Sequence, residues 1–125
     1  MLTPDELRAL IATYVNAINA RDAQGIAALF AEDAVQADPA DQPAALGRPA
    51  IAEFFANGIA ASDSWEFHAS AIHTCASTVA INFEIAVVMG DSTMTISGIE
   101  VFEVAEDGLF ASVHAYWDQN DVRMA

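Results

Sequence analysis

The sequence contains no lysine, and its only basic side chains besides three histidines are Arg8, Arg21, Arg48 and Arg123, scattered along the chain. Phosphate backbones and anionic membranes are gripped by clustered cations. Neither nucleic acid nor a membrane surface is therefore an expected partner. Cysteine is nearly absent too: Cys75 stands alone, so no intrachain disulfide can form. We expect it to be buried filler rather than a catalytic thiol. No run approaches the ~20 apolar residues of a membrane span. Met1-Leu2-Thr3-Pro4-Asp5-Glu6 has neither the basic nor the apolar region of a signal peptide, and a cytoplasmic location is expected. The usual supports for hydride, phosphoryl and serine chemistry are missing: there is no G-x-G-x-x-G, no P-loop and no G-x-S-x-G. His68, His73 and His114 fall into neither HxH nor HExxH spacing, so no metal site is expected.

What is present is acid and hydrocarbon. Eighteen acidic residues give a formal charge of -14, a feature that speaks to solubility rather than to fold. Apolar residues make up 54% of the chain, above the usual range, and much of the excess is alanine. An apolar pocket or a buried subunit interface would account for such a surplus. The 125 residues suit one domain, 1–125, large enough for a core without staples.

Thr3-Pro4-Asp5-Glu6 predicts a helix start, with Thr3 and Glu6 capping reciprocally and proline in the first turn. Leu7, Leu10, Ile11, Tyr14, Val15 and Ile18 follow at helical spacing. Asp22 leads a short second helix through Ile26, Leu29 and Phe30. A brief strand, Ala34 to Asp38, ends at Pro39; residues 39–47 read as a loop, and Arg48 to about Ile59 as a third helix. The second half alternates instead. Strands are expected over 64–75, 78–89, 93–105 and 109–117, with turns at Gly90-Asp91-Ser92 and Asp107-Gly108. Helices gathered on one side of an antiparallel sheet make an α+β domain.

Three residues carry candidate chemistry. Asp38 precedes a proline that has no N–H to donate. A carboxylate there is either a turn residue or a strengthened base in a partly apolar setting. Glu100 lies in Ile96–Val104, a stretch apolar on both faces, so alternation does not say which face is interior. Such an acid reaches solvent, pairs with a cation, or stays protonated and donates a hydrogen bond. Tyr14 sits on the buried helical stripe, where its hydroxyl needs either a backbone acceptor or a ligand oxygen.

Taken in order, these segments resemble the delta-5-3-ketosteroid isomerases of the nuclear transport factor two-like superfold. Ile11-Ala12-Thr13-Tyr14-Val15 resembles the helix with the catalytic tyrosine, and Gly25 through Ala34 the segment after it. Ala37-Asp38-Pro39 is similar to the Asp-Pro of the general base, Gly47 through Asn57 to the third helix. Ile99-Glu100-Val101-Phe102 is similar to the strand of the oxyanion-binding acid, and Ala115-Tyr116-Trp117 to the last strand. The resemblance implies a cone-shaped roll, a curved and mostly antiparallel sheet packed with three N-terminal helices. It implies a cofactor-independent steroid delta-isomerase and a homodimer formed through the open sheet face. It also implies the roles: Asp38 shuttles the proton, while Tyr14 and a neutral Glu100 hold the oxyanion. Phe54, Phe55, Phe83, Met89, Phe102, Val113 and Trp117 are the expected pocket walls around a small hydrophobic steroid-like ketone.

The chain departs from that pattern in three places. Glu100 stands where the family has aspartate, Phe30 and Phe55 stand where some members carry supporting tyrosines, and Ala40-Asp41 replaces a glycine-containing turn. Two other readings stay open: a SnoaL-type polyketide cyclase acting on an enolisable ketone, and a non-catalytic module that binds a hydrophobic ligand. The donor pair Tyr14 and Glu100 suits a single oxyanion and favours the isomerase. A limonene-epoxide-hydrolase-like centre would need an Asp-Arg-Asp relay that these residues do not supply.

Overall fold

The computed structural model describes all 125 residues. Helix α1 (Pro4–Asn19) begins with the expected capping box: the Glu6 N–H donates to Thr3 Oγ1 at 3.1 Å, and the Thr3 N–H to Glu6 Oε1 at 2.9 Å. Its Leu7, Ile11, Tyr14 and Ile18 are buried as one stripe. Helix α2 (Ala23–Ala27) is shorter than its spacing suggested. Ile26, Leu29 and Phe30 do fall at helical intervals, but Phe30 instead opens a strand. Its partner there is Phe110, and the Arg48 guanidinium donates through Nε and Nη2 to the Phe30 carbonyl at 3.0 and 2.8 Å. Helix α3 (Arg48–Ala60) lies on the same side of the sheet.

Seven strands form one curved, unclosed sheet: β1 (Phe30–Ala37), β2 (Ala45–Leu46), β3 (Ser64–Cys75), β4 (Thr78–Met89), β5 (Ser92–Val104), β6 (Phe110–Tyr116) and β7 (Val122–Met124). Their order is β2-β1-β6-β5-β4-β3, and every pairing is antiparallel except that of β1 with β6. The sheet is thus the mostly antiparallel one expected, with two additions. The two-residue β2 lies in the expected loop, and β7 follows a single 3₁₀ turn. Strand β4 covers one edge of β5 throughout. The other edge is shared: β6 pairs with Ile99–Val104, and β7 with Met94–Ile96.

Alternation decides the faces. On β4, Val79, Ile81 and Phe83 are buried; on β5, Glu100 and Phe102 point inward while Ile99, 44% exposed, points out. Cys75 is exposed rather than buried, because it ends β3 at the turn into β4, beyond the cover of the helices. No helix is long and apolar enough to cross a membrane.

Candidate active site

The helices and the inner sheet face enclose a cavity of about 460 Å³, within the range that holds drug-sized ligands. Cross-strand register lays out its floor in rows. Glu100 lies beside Ile81. Toward the mouth come Ile96, Ile85 and Phe67, and then Met94, Val87 and Trp65. Glu100 lies six positions along β5 from Met94, which at ~3.4 Å per residue makes a slot about 20 Å long. Phe54, Phe55 and Gly58 of α3 and Ile18 of α1 close it from the other side.

Tyr14, Asp38 and Glu100 all line this one cavity. Tyr14 is held by aromatic edges: Phe67, Phe102 and Phe110 stand nearly perpendicular to its ring at 5.9, 5.1 and 5.7 Å. Its hydroxyl donates to Glu100 Oε2 at 3.3 Å. Glu100 is 3% exposed, and no arginine lines the cavity. Burial, and after it the charge of Asp38, pushes the Glu100 carboxyl up to about 8, against a smaller downward pull from the Tyr14 hydrogen bond. Glu100 is therefore neutral at pH 7. Its other oxygen, Oε1, is buried without a partner, so a proton there is a donor still to be used. Burial also raises Tyr14 well above its ordinary value, reinforced by the neighbouring Glu100 and Asp38, and keeps the phenol protonated.

Asp38 follows the last residue of β1, and its peptide bond to Pro39 is cis. The Ala40 N–H donates to the Ala115 carbonyl at 2.8 Å, tying the loop to β6. The carboxylate accepts one hydrogen bond, from the Trp117 indole Nε1–H to Oδ1 at 2.7 Å. Burial raises its pKa and the indole bond lowers it, with burial the larger effect. One donor and a hydrocarbon surround make a carboxylate a better base than it is in water.

Of the expected walls, Phe54, Phe55, Phe83, Met89 and Trp117 line the cavity. Phe102 and Val113 do not. They pair with each other one row beyond Glu100, both with no exposed surface, and Tyr14 packs edge-on against Phe102. Phe102 shares the inner face with Glu100, but α1 fills that end of the interior. Ile85 and Val87 belong to the wall and share the alternating face of Phe83 and Met89, so their signal was present. The Trp117–Asp38 bond spans 79 residues and had none. Tyr14 has no second tyrosine behind it, since the chain's other one, Tyr116, is half exposed.

An apolar slot with a neutral acid, a phenol and a carboxylate is an arrangement suited to acid–base chemistry, and the sequence places the chain in a family. Residues 11–113 match the SnoaL-like domain, and the chain belongs to that family. Over 117 residues it is 32% identical to a Steroid Delta-isomerase from Nocardioides simplex, covering 94% of each chain. This agrees with the resemblance read from the motifs. Two solved structures share the fold at 20% identity and a TM-score of 0.89. One is SalBIII, an epoxide hydrolase/cyclase-like enzyme in pyran ring formation in polyether salinomycin, with 98% of each chain covered. The other is RV0760c from Mycobacterium tuberculosis, covered in full.

Proposed function

We propose that the protein is a steroid delta-isomerase that moves the double bond of a 3-oxo-delta-5-steroid into conjugation, using its own side chains alone. The observation that carries this reading is the pairing of Glu100, buried without a cationic side chain beside it, with the Tyr14 hydroxyl at 3.3 Å, in the same cavity as a partly buried Asp38 whose carboxylate accepts one hydrogen bond. The Asp38 carboxylate removes a proton from the carbon between the carbonyl and the isolated double bond. The electron pair of that C–H bond moves through the carbonyl to its oxygen, giving a dienolate. Glu100 donates through its free proton, and Tyr14 turns its hydroxyl from Glu100 to the oxyanion. At 3.3 Å the Tyr14–Glu100 bond is a long one, and a charge-assisted bond replaces it. Asp38 then returns the proton two carbons further on. No electrons leave the ligand, so the net change is one proton moved. The 20 Å slot would hold the flat ligand along the strands, its ketone at Glu100 and its far end between Met94 and Trp65.

The reading extends to a homodimer through the outer sheet face, where Ile99 and the cross-strand Tyr116 stand exposed beside each other. Sedimentation of wild type and Ile99→Arg tests it: a dimer is expected for the first and a monomer for the second.

The test of function is ultraviolet absorbance after mixing the protein with 5-androstene-3,17-dione. Rapid appearance of the conjugated enone, reduced at least ~10²–10⁴-fold in Asp38→Asn, is expected. Equal rates in both proteins would remove Asp38 from the reaction. No activity in either would favour a cyclase acting on another enolisable ketone, the reading that SnoaL-like membership supports next.

A further inference from the structure

Strand β5 carries one glycine, Gly98, two residues before Glu100 on the same face. Its φ lies outside the left-handed region, so backbone conformation does not demand glycine there. Space does. A Cβ on residue 98 would stand 2.4 Å from the Tyr116 carbonyl oxygen, 3.1 Å from Trp117 Cβ and 3.1 Å from Phe83 Cε1. The first of these is backbone and cannot swing aside. Gly98 is also absent from the cavity lining, so the room it leaves is taken by the end of β6 and not by a ligand.

The position is unusual in the sheet. One edge of β5 is divided between β6, which stops pairing at Ile99, and β7, which starts at Ile96. Ser97 and Gly98 fill the gap. There the chain leaves β6 after Tyr116, and the next residue, Trp117, reaches Asp38 with its indole. We infer that Gly98 is a positioning residue for Asp38: the missing side chain lets the β6 terminus close on β5, and only from there does the Trp117 indole reach the carboxylate. The inference rests on the reading of Asp38 as the base for its catalytic meaning, but the indole–carboxylate contact is measurable without it.

The test compares Gly98→Ala, Trp117→Phe and the double variant in the full-length protein. The chain has two tryptophans, and the indole N–H resonance lost in Trp117→Phe is that of Trp117. In wild type this resonance should shift as Asp38 titrates. The other titratable groups facing Asp38 are Glu100 from β5 and Tyr14 from α1, while α3 offers Phe54 and Phe55, which carry no charge. The reading is therefore taken well below the titration of Glu100 near 8. In Gly98→Ala the resonance should stop responding to pH. The same variant should lower kcat ~10–10²-fold, as expected for a misplacement on the order of 1 Å. The acidic limb of its rate profile should move to higher pH, as in Trp117→Phe. Because both changes act on one contact, the double variant should be no slower than Trp117→Phe alone.

A Gly98→Ala protein whose Trp117 resonance still follows Asp38, or a double variant whose losses multiply, would overturn the inference. If Gly98→Ala does not fold, wild type and Trp117→Phe decide: a Trp117 resonance that follows Asp38, with the acidic limb raised in Trp117→Phe, supports the link, and a resonance indifferent to Asp38 overturns it. Should wild type lack isomerase activity, the resonance still reports the Gly98–Trp117–Asp38 link by itself.

Discussion

The Tyr14 hydroxyl and the Glu100 carboxyl, 86 residues apart in sequence, have no hydrogen-bond partner but each other. Each is buried, and each is kept protonated by that burial. The pair is complete without a ligand, yet it keeps one unused donor on Glu100. Variants at either residue separate what holds the site from what acts in it.

Tyr14→Phe keeps the ring and its three edge-on contacts but removes the hydroxyl. Stability should change by about 1 kcal/mol, the net value of one hydrogen bond. With the downward pull of that bond gone, Glu100 should titrate above 8, and the alkaline limb of the rate profile should move up. The rate itself should fall ~10²–10³-fold, as for a lost oxyanion donor. Steady-state kinetics across pH measures both.

Glu100→Asp withdraws the carboxyl by one methylene from the 3.3 Å contact with Tyr14. Although aspartate is the residue that the resembled family carries here, this chain has built its pocket around glutamate. The variant should lose ~10²-fold in kcat with KM little changed. A gain in kcat would mean that glutamate is the misfit.

Stability should fall as pH rises from about 4.5 to about 8, the ordinary and folded values of Glu100. In that window the folded chain keeps a proton that the unfolded chain has released, so raising pH favours unfolding. The contribution is full below the window and gone above it. Glu100→Gln has nothing to titrate and should flatten the curve, overtaking wild type by a few kcal/mol at most near pH 8. Urea midpoints at pH 5, 6.5 and 8 test the sign.

Phe102→Ala and Met94→Trp should part company. Phe102 is wholly enclosed in the core, and its truncation should cost ~3–5 kcal/mol in a denaturant titration. Met94 is half-buried at the mouth, and a tryptophan there should narrow the slot. The expected result is a raised KM for a steroid ketone with near-normal stability.

The candidate site was legible where residue type and spacing carried the information. Tyr14 is placed by helical periodicity and the strands from 64 onward by alternation, whereas Asp38, by its own motif equally a turn residue, stood out only through the resemblance of Ala37-Asp38-Pro39. Glu100 was only half legible, since Ile99 and Val101 make its outer face as apolar as its inner one; the cover of α1 decides between them, and that is a tertiary fact. Depth along a strand was not legible either. Phe102 shares a face with Glu100 but lies where α1 leaves no room, while Met94, near the other end of the strand, lines the open slot. The short β7 and the early start at Phe30 depend on distant partners on β5 and β6, and local propensity is silent about both.

No arginine lines the cavity, and this has a consequence for charge through the proposed reaction. Before proton transfer the single negative charge sits on Asp38; afterwards it sits on the ligand oxygen; on return it is back on Asp38. With Glu100 neutral, the site carries one negative charge in every state and never two. A site that conserves its charge in this way has no need of a counter-ion. That leaves Arg21 and Arg48 to work elsewhere, each holding backbone carbonyls, at Ile59 and Ser62 and at Phe30. The arginines clamp the frame, and the proposed chemistry does not call on them.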